Sequence, residues 1–152
     1  MKKRNKRSGK QVFLRFLFVV YVAAMIWLLF GQRWGTEIYT GNKASSMNLQ
    51  PFATVKMYWR ILQNSSDNGL LRHALINLVG NVVMFIPLGF FAPYLVRELR
   101  KFWKAMLLLL CVIVTIEIVQ FFTFLGTCDV DDLILNMAGV LIGWFSWRVR
   151  RP

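Results

Sequence analysis

Residues 129–139, DVDDLILNMAG, lead three clustered aspartates directly into an apolar run that continues to Trp147. Asp132 and Asn136 are four residues apart, and Gly139 and Gly143 continue close to the same face of a helix. The stretch therefore predicts a helix with one stripe of polar and small side chains and apolar flanks. The question for the rest of the chain is which residues of the other helices this stripe faces.

Composition identifies the class of protein. The 152 residues are 57% hydrophobic, with a mean hydropathy of +0.48 and a formal net charge of +12. This combination fits neither a soluble domain nor a disordered basic tail, and it predicts an integral membrane protein. Nucleic-acid binding is disfavoured because the Lys and Arg residues lie in short clusters between long apolar runs instead of along one soluble face.

The apolar runs predict an all-α, polytopic transmembrane helical bundle with about four spanning helices. A signal peptide is less favoured for the start of the chain, because the first apolar run is about 19 residues long and no cleavage site follows it. The single domain 1–152 divides into a basic cytoplasmic tail (1–11), a first span (12–30), an external loop (31–71), spans at 72–96, 102–126 and 130–147, and a second basic tail (148–152). We expect Pro87 to bend the second span.

The external loop contains a segment with helical periodicity. In and beside residues 53–62, four apolar residues fall near helical spacing beside two cations: Phe52, Val55, Trp59 and Leu62 with Lys56 and Arg60. The pattern is typical of a short helix lying in the membrane surface. A tethered loop with interfacial aromatics and a functional cover explain it equally well.

The cations predict the orientation. Placing both tails, the turn at residues 97–104 and Arg15 near the start of the first span inside puts fourteen of the nineteen Lys and Arg residues on that side, opposed only by Glu98. We therefore expect a multi-pass protein of the cell membrane with both termini cytoplasmic.

This orientation brings polar residues of three helices to one depth below the outer surface. At 1.5 Å per residue, Asn81 and Glu117 lie about 13 Å deep and Asn136 about 9 Å. The inner halves of the helices are almost entirely apolar. The sequence thus predicts an outer polar site, Asn77, Asn81, Glu117, Gln120, Asp132 and Asn136, with a rim of His73, Asp129 and Asp131.

Structural explanations compete with a ligand site. Amides can simply join helices, but a buried carboxylate such as Glu117 costs at least about 2.5 kcal/mol and is an expensive way to do so. The aspartate cluster could bind a divalent cation, although a solvated helix start is favoured. His73 has no second ligand at zinc spacing, and neither a metal nor a cofactor is expected.

Three glycines, Gly80, Gly139 and Gly143, are interpreted as positions of close helix packing instead of a phosphate loop. The Gly139-x-x-x-Gly143 spacing permits a homodimer and equally permits packing within the chain.

Four segments together resemble the VanZ-like family of small membrane proteins. They are NLQPF (48–52), NLVGNVVMFIPLG (77–89), EIVQ (117–120) and DVDDLILNMAG (129–139). The chain departs from the family at Gln50 and Met137, and it has Gly126-Thr127-Cys128 where some members carry an Arg before the acidic run. The resemblance implies an association with reduced susceptibility to teicoplanin and related lipoglycopeptides in Gram-positive bacteria.

We first expect a non-catalytic protein that binds or shields an envelope lipid, with membrane lipids and a lipid-linked cell-wall intermediate or a lipoglycopeptide as partners. The alternative is a membrane-embedded enzyme that modifies a lipid-linked substrate, with Glu117 or Asp132 as general acid or base. An ion carrier is disfavoured, because one buried Glu without polar residues on the cytoplasmic side leaves half the path unlined.

Overall fold

The structure is a computed structural model that describes residues 4–31, 47–123 and 128–150. The predicted features at residues 1–3, 32–46, 124–127 and 151–152 lie outside the described residues. The described elements, in chain order, are α1 (Arg4–Phe30), β1 (Met47–Asn48), α2 (Ala53–Asn64), α3 (Asn68–Leu95), a 3₁₀ helix (Arg97–Arg100), α4 (Phe102–Phe122), β2 (Cys128–Asp129) and α5 (Val130–Val149). The predicted all-α class is confirmed.

Among the described residues, three helices are long and apolar enough to cross a membrane: Gln11–Phe30 within α1, Asn68–Leu95 and Phe102–Phe122. The fourth predicted span corresponds to α5, which is not one of these three helices. Helix α5 has Asp131 and Asp132 in its first turn and Arg148 in its last turn, so its apolar part is shorter. Its 20 residues still extend about 30 Å, the thickness of a hydrocarbon core.

The chain separates into two compact units, Met1–Thr36 and Glu37–Pro152. The helix of the first unit starts at Arg4, well before the predicted first span, because Lys and Arg are good helix formers and the basic segment continues the helix. All the other described helices belong to the second unit.

Helices α3 and α5 form the centre of the second unit, and they run in the same direction. Gly139 packs against Val82, and Gly143 packs further along α3 against Ile86 and Phe90. A Cβ atom at either glycine would overlap a backbone carbonyl oxygen of α3. The two backbones are therefore in direct contact, as in glycine-mediated packing of membrane helices.

The role of the glycines differs in part from the prediction. Gly139 and Gly143 are used within the chain, against α3. A Cβ atom at Gly80 would meet only Ile76 Cγ2 at 3.8 Å, so its predicted close packing is wrong. Gly89 takes that role instead, because a Cβ atom there would lie 2.9 Å from Val140 Cα and would overlap the Val140 carbonyl oxygen.

Helix α4 runs antiparallel to α5. The ring of Phe102, at the start of α4, lies 5.3 Å from that of Trp144, near the end of α5. Trp144 also donates a hydrogen bond from Nε1 to the Leu99 carbonyl oxygen at 3.0 Å, so the 3₁₀ helix is fixed to the same end. Directions thus alternate from α3 to α4 to α5.

The predicted surface helix of the loop is present as α2. It buries Tyr58, whose ring centroid is 5.7 Å from that of His73 on α3, and it exposes Lys56, Trp59 and Arg60. Helix α3 begins at residue 68 instead of 72 because Asp67 caps it, accepting hydrogen bonds from Gly69 N at 2.7 Å and Leu70 N at 3.2 Å. It continues through Pro87 and Pro93 as one helix.

Candidate functional site

A short parallel strand pair connects the external loop to the start of α5. Met47 pairs with Cys128 and Asn48 with Asp129, in a two-stranded sheet formed by β1 and β2. The pairing places the segment before α2 directly over the acidic stretch that opens α5. Two of the aspartates in that stretch use this proximity.

Asp131 is fully buried and holds the N-terminal end of α2. Its carboxylate accepts hydrogen bonds from the backbone N–H groups of Phe52 and Val55, the latter at 2.9 Å. The first N–H groups of a helix have no partner within the helix, and they carry the positive end of its dipole. A buried carboxylate at this point satisfies the donors and is stabilised by them in return. Phe52 adopts a left-handed backbone conformation, with φ of 63°.

Asp129 is the second anchor, and it is also buried. It accepts hydrogen bonds from the Thr54 hydroxyl and from Asn48 Nδ2, and its Oδ1 accepts from Asp131 N at 2.8 Å, which caps α5. The prediction that the aspartates form a solvated helix start and an exposed rim is therefore wrong for Asp129 and Asp131. The sequence could not show this, because the donors come from a distant segment.

Asp132 has a different environment from its two neighbours. It points to α3, where Asn81 Nδ2 donates to its Oδ1 at 2.6 Å. Asn81 Nδ2 also approaches Asn77 Oδ1 at 3.4 Å. The structure thus brings together three of the six residues predicted for the outer polar site, from two helices.

The other three predicted residues of the outer polar site are buried. Asn136 on α5 is 2% exposed, and its Oδ1 has no hydrogen-bond partner among the described residues. Glu117 and Gln120 are buried on α4 at 7% and 8% exposure. His73, predicted for the rim, is exposed and contacts Tyr58 of α2.

The pKa of the Cys128 thiol is raised by its surroundings beside the site. Burial raises its pKa, and the nearby carboxylates of Glu117 and Asp129 raise it further. Each of these causes disfavours the thiolate. Glu117 therefore acts at the end of the bundle where β2 lies, which is the end at which Asp132 and Asn81 meet. Within residues 4–31, 47–123 and 128–150, no group of three or more His, Cys, Asp or Glu residues could hold a metal ion.

We predict that Cys128 reacts with a membrane-impermeant maleimide added to intact cells that express the Cys111→Ser variant. If the acidic end of the bundle faces outward, no permeabilisation is needed. Because the thiol pKa is raised, little thiolate is present at neutral pH, and the labelling rate should still increase as the pH passes the ordinary thiol value of 9.0.

The matched control is Cys128→Ser, which leaves Cys111 on the exposed surface of α4 within a candidate span. This variant should stay unlabelled. Labelling of Cys128 only after permeabilisation would reverse the predicted orientation.

Sequence reasoning missed Asn48 and Thr54 as partners of Asp129. Asn48 belongs to one of the segments that carry the family resemblance, and this membership could have identified it as a candidate partner. Thr54 stood in no motif, and only the fold reveals its contact.

Comparisons with known proteins agree with the resemblance. Residues 16–151 match the VanZ/LLP1 family. Protein VanZ of Enterococcus faecium is 27% identical over 134 residues, which cover 88% of this chain and 72% of that protein. No solved structure matches the chain.

Proposed function

Because this chain belongs to the VanZ/LLP1 family, we propose that it is a membrane protein of the bacterial cell envelope that binds an envelope lipid or a lipid-tailed ligand at the outer polar site. Binding would shield that ligand or hold it in the membrane. We further propose that this binding lowers the susceptibility of the cell to lipoglycopeptides such as teicoplanin. This part of the proposal rests on the likeness to Protein VanZ.

The observation that carries this proposal is the Asn81–Asp132 hydrogen bond between α3 and α5. Around it, apolar helices enclose further polar groups, and Asn136 and Glu117 are more than nine-tenths buried. Placing ionisable groups at membrane depth is expensive, and such groups generally serve ligand or ion pathways. Helix α5 has direct backbone contact with α3 through its glycines, so the bundle does not need these carboxylates to hold it together.

The surroundings of the site suit an amphiphilic ligand. Helix α2 is anchored to the start of α5 by Asp131 and exposes Trp59 beside Arg60, as surface helices do at the headgroup level. At the other end of the bundle, Phe102 and Trp144 pack in an apolar cluster. An outward polar end above an apolar end matches a ligand with a polar headgroup and a hydrocarbon tail.

Substitutions in the site test the proposal in a susceptible Gram-positive host. We expect Glu117→Gln, Asn81→Ala and Asp132→Ala each to remove most of the protection against teicoplanin that the parent protein gives. A lost hydrogen bond to a charged group is worth about 1.5–3 kcal/mol, which is about a 10- to 100-fold loss of affinity. The readout is the inhibitory concentration at matched protein levels in the membrane.

Glu98→Gln is the matched control, because Glu98 is an exposed carboxylate on the 3₁₀ helix at the opposite end of the bundle. It should protect as well as the parent. Full protection by all three site variants would show that the site is not the working part. A lipid that is chemically altered in cells with the parent protein, and unaltered with Glu117→Ala, would instead indicate an enzyme.

A further inference from the structure

The side-chain oxygen of Asn136 is a buried polar atom of the outer polar site that has no hydrogen-bond partner among the described residues. Asn136 is 2% exposed, and its Oδ1 accepts no hydrogen bond from any described residue. A buried acceptor without a donor is rare in folded proteins, because it gives up its hydrogen bonds to water and gains none. A ligand that carries a donor would satisfy it.

Helix geometry places Asn136 one turn beyond Asp132 on the same face of α5. Side chains of an α-helix lean toward its N-terminus, so Asn136 extends over the turn that carries Asp132 on the same face. Asp132 reaches across to Asn81 of α3 at 2.6 Å. A neutral amide oxygen and a carboxylate therefore lie on the same face of α5, one turn apart, and both are acceptors.

The charge around this point is negative. Glu117 is buried on α4, and Asp129 and Asp131, which closely precede Asp132 in the chain, are buried as well. The six residues of the outer polar site include no Lys or Arg. A phosphate group would bring only further acceptors and negative charge, and the carboxylates would repel it. An ammonium group carries three donors, no acceptor and a positive charge.

A bare metal ion fits less well than an ammonium group. No group of three or more possible ligand residues for a metal occurs in the described part of the chain. Hard cations require several oxygen ligands at short distances, whereas an ammonium group is bound through separate hydrogen bonds to a few acceptors.

We propose that the outer polar site binds the primary ammonium group of an amphiphile, with Asp132 and Asn136 Oδ1 accepting its N–H donors. This inference rests on the proposed function, in which the site takes the headgroup of a lipid or a lipid-tailed ligand, and it adds the chemistry of that headgroup. The hydrocarbon tail would follow the apolar surface of the helices away from the acidic end.

The test uses the full-length protein in detergent micelles and four ligands with the same twelve-carbon tail. Dodecylammonium carries charge and donors, dodecyltrimethylammonium carries charge without N–H donors, dodecanol carries a neutral donor, and dodecyl phosphate is anionic. Binding is measured by isothermal titration calorimetry. We expect dodecylammonium to bind at least about tenfold more tightly than each of the other three, since a charge-assisted hydrogen bond exceeds a neutral one.

Two variants connect this preference to the site. Asn136→Leu removes the acceptor and should reduce the preference for dodecylammonium over dodecyltrimethylammonium by about tenfold. Asn136→Asp keeps an acceptor at the same position and should retain the preference. The comparison is a ratio of the affinities for dodecylammonium and dodecyltrimethylammonium within each variant. The parent protein alone already ranks the four ligands, so the conclusion does not depend on a variant that folds poorly.

A second arm identifies the source of the ammonium group. The protein is extracted from bilayers of phosphatidylglycerol alone and from bilayers that also contain phosphatidylethanolamine, and retained lipid is identified by native mass spectrometry. Retention of phosphatidylethanolamine by the parent protein but not by Asn136→Leu supports a bilayer lipid as the source. Binding of dodecylammonium without such retention supports an amphiphile from outside the bilayer.

Equal binding of all four ligands, preference for dodecyl phosphate or dodecanol, or no binding would overturn the ammonium assignment. None of these results by itself contradicts the proposed function, which the substitutions in the site test separately. If the site variants abolish protection while dodecylammonium shows no preference, the site works but takes another headgroup. If dodecylammonium binds with the expected preference while the variants protect fully, the ammonium site exists and the proposed role in resistance fails.

Discussion

Replacing Asp131 with alanine should release helix α2 from the start of α5. The carboxylate accepts from the backbone N–H groups of Phe52 and Val55, and it is 0% exposed. A hydrogen bond to a charged group is worth about 1.5–3 kcal/mol, so we expect the loss of both to weaken the α2 attachment by at least about 2 kcal/mol.

Hydrogen exchange followed by mass spectrometry measures this loss locally. In the Asp131→Ala variant, protection of the amides of α2 should fall by at least about thirtyfold, the equivalent of 2 kcal/mol. Protection in α4 should not change, because α4 donates no hydrogen bond to Asp131. Unchanged protection in α2 would show that other contacts hold this helix.

Asp67→Ala is a matched control for the Asp131 variant. Asp67 also accepts two backbone N–H bonds at the start of a helix, from Gly69 and Leu70, but it is exposed. Water can replace an exposed cap, and its loss costs about 1 kcal/mol. The difference between the two variants therefore isolates the effect of burial on the same kind of contact.

Replacing Gly143 with alanine should force α3 and α5 apart. The added Cβ would overlap the Ile86 carbonyl oxygen and lie 2.8 Å from Phe90 N, and neither backbone atom can rotate away. The helices must separate by about 1 Å to restore ordinary contact distances, and this loosens packing along the whole pair. We expect a cost of about 3 kcal/mol, the upper end for overpacked interiors.

Unfolding in mixed micelles with increasing denaturing detergent, followed by tryptophan fluorescence, measures this cost. Gly80→Ala is the matched control, because a Cβ atom there meets only Ile76 Cγ2 at 3.8 Å. Alanine is the better helix former by up to about 1 kcal/mol, so Gly80→Ala should be neutral or stabilising. Equal destabilisation by the two variants would contradict the direct backbone contact at Gly143.

Most of the helical architecture could be predicted from local pattern. The predicted surface helix at 53–62 is α2, and the predicted spans at 72–96 and 102–126 correspond to α3 and α4, with starts that differ by no more than four residues. The early start of α3 has a local cause as well, the Asp67 cap. These features depend on hydrophobic length, on a period of 3.6 residues and on capping, which neighbouring residues determine together.

The outer polar site could be predicted only in part. The four-residue spacing of Asn77 and Asn81, and of Asp132 and Asn136, correctly placed each pair on one face of its helix, and the fold joins the pairs through Asn81 and Asp132. The predicted rim is wrong at Asp129 and Asp131, because both carboxylates are buried and accept hydrogen bonds from residues 48–55, whereas His73 is exposed. Adjacent positions on a helix point in different directions, so Asp131 and Asp132 serve different partners although they are neighbours in the chain.

The sequence by itself determined that the chain is a membrane protein of α-helices and that its polar residues fall on particular faces. Only the tertiary structure decided what each of those residues does. Asp131 is bound by Phe52, 79 positions earlier, and Asp132 by Asn81, 51 positions earlier. Gly89 and not Gly80 meets α5, because the relative position of two helices depends on how their whole surfaces fit together. Local periodicity selects the face of a helix, but contacts between distant segments decide what that face touches.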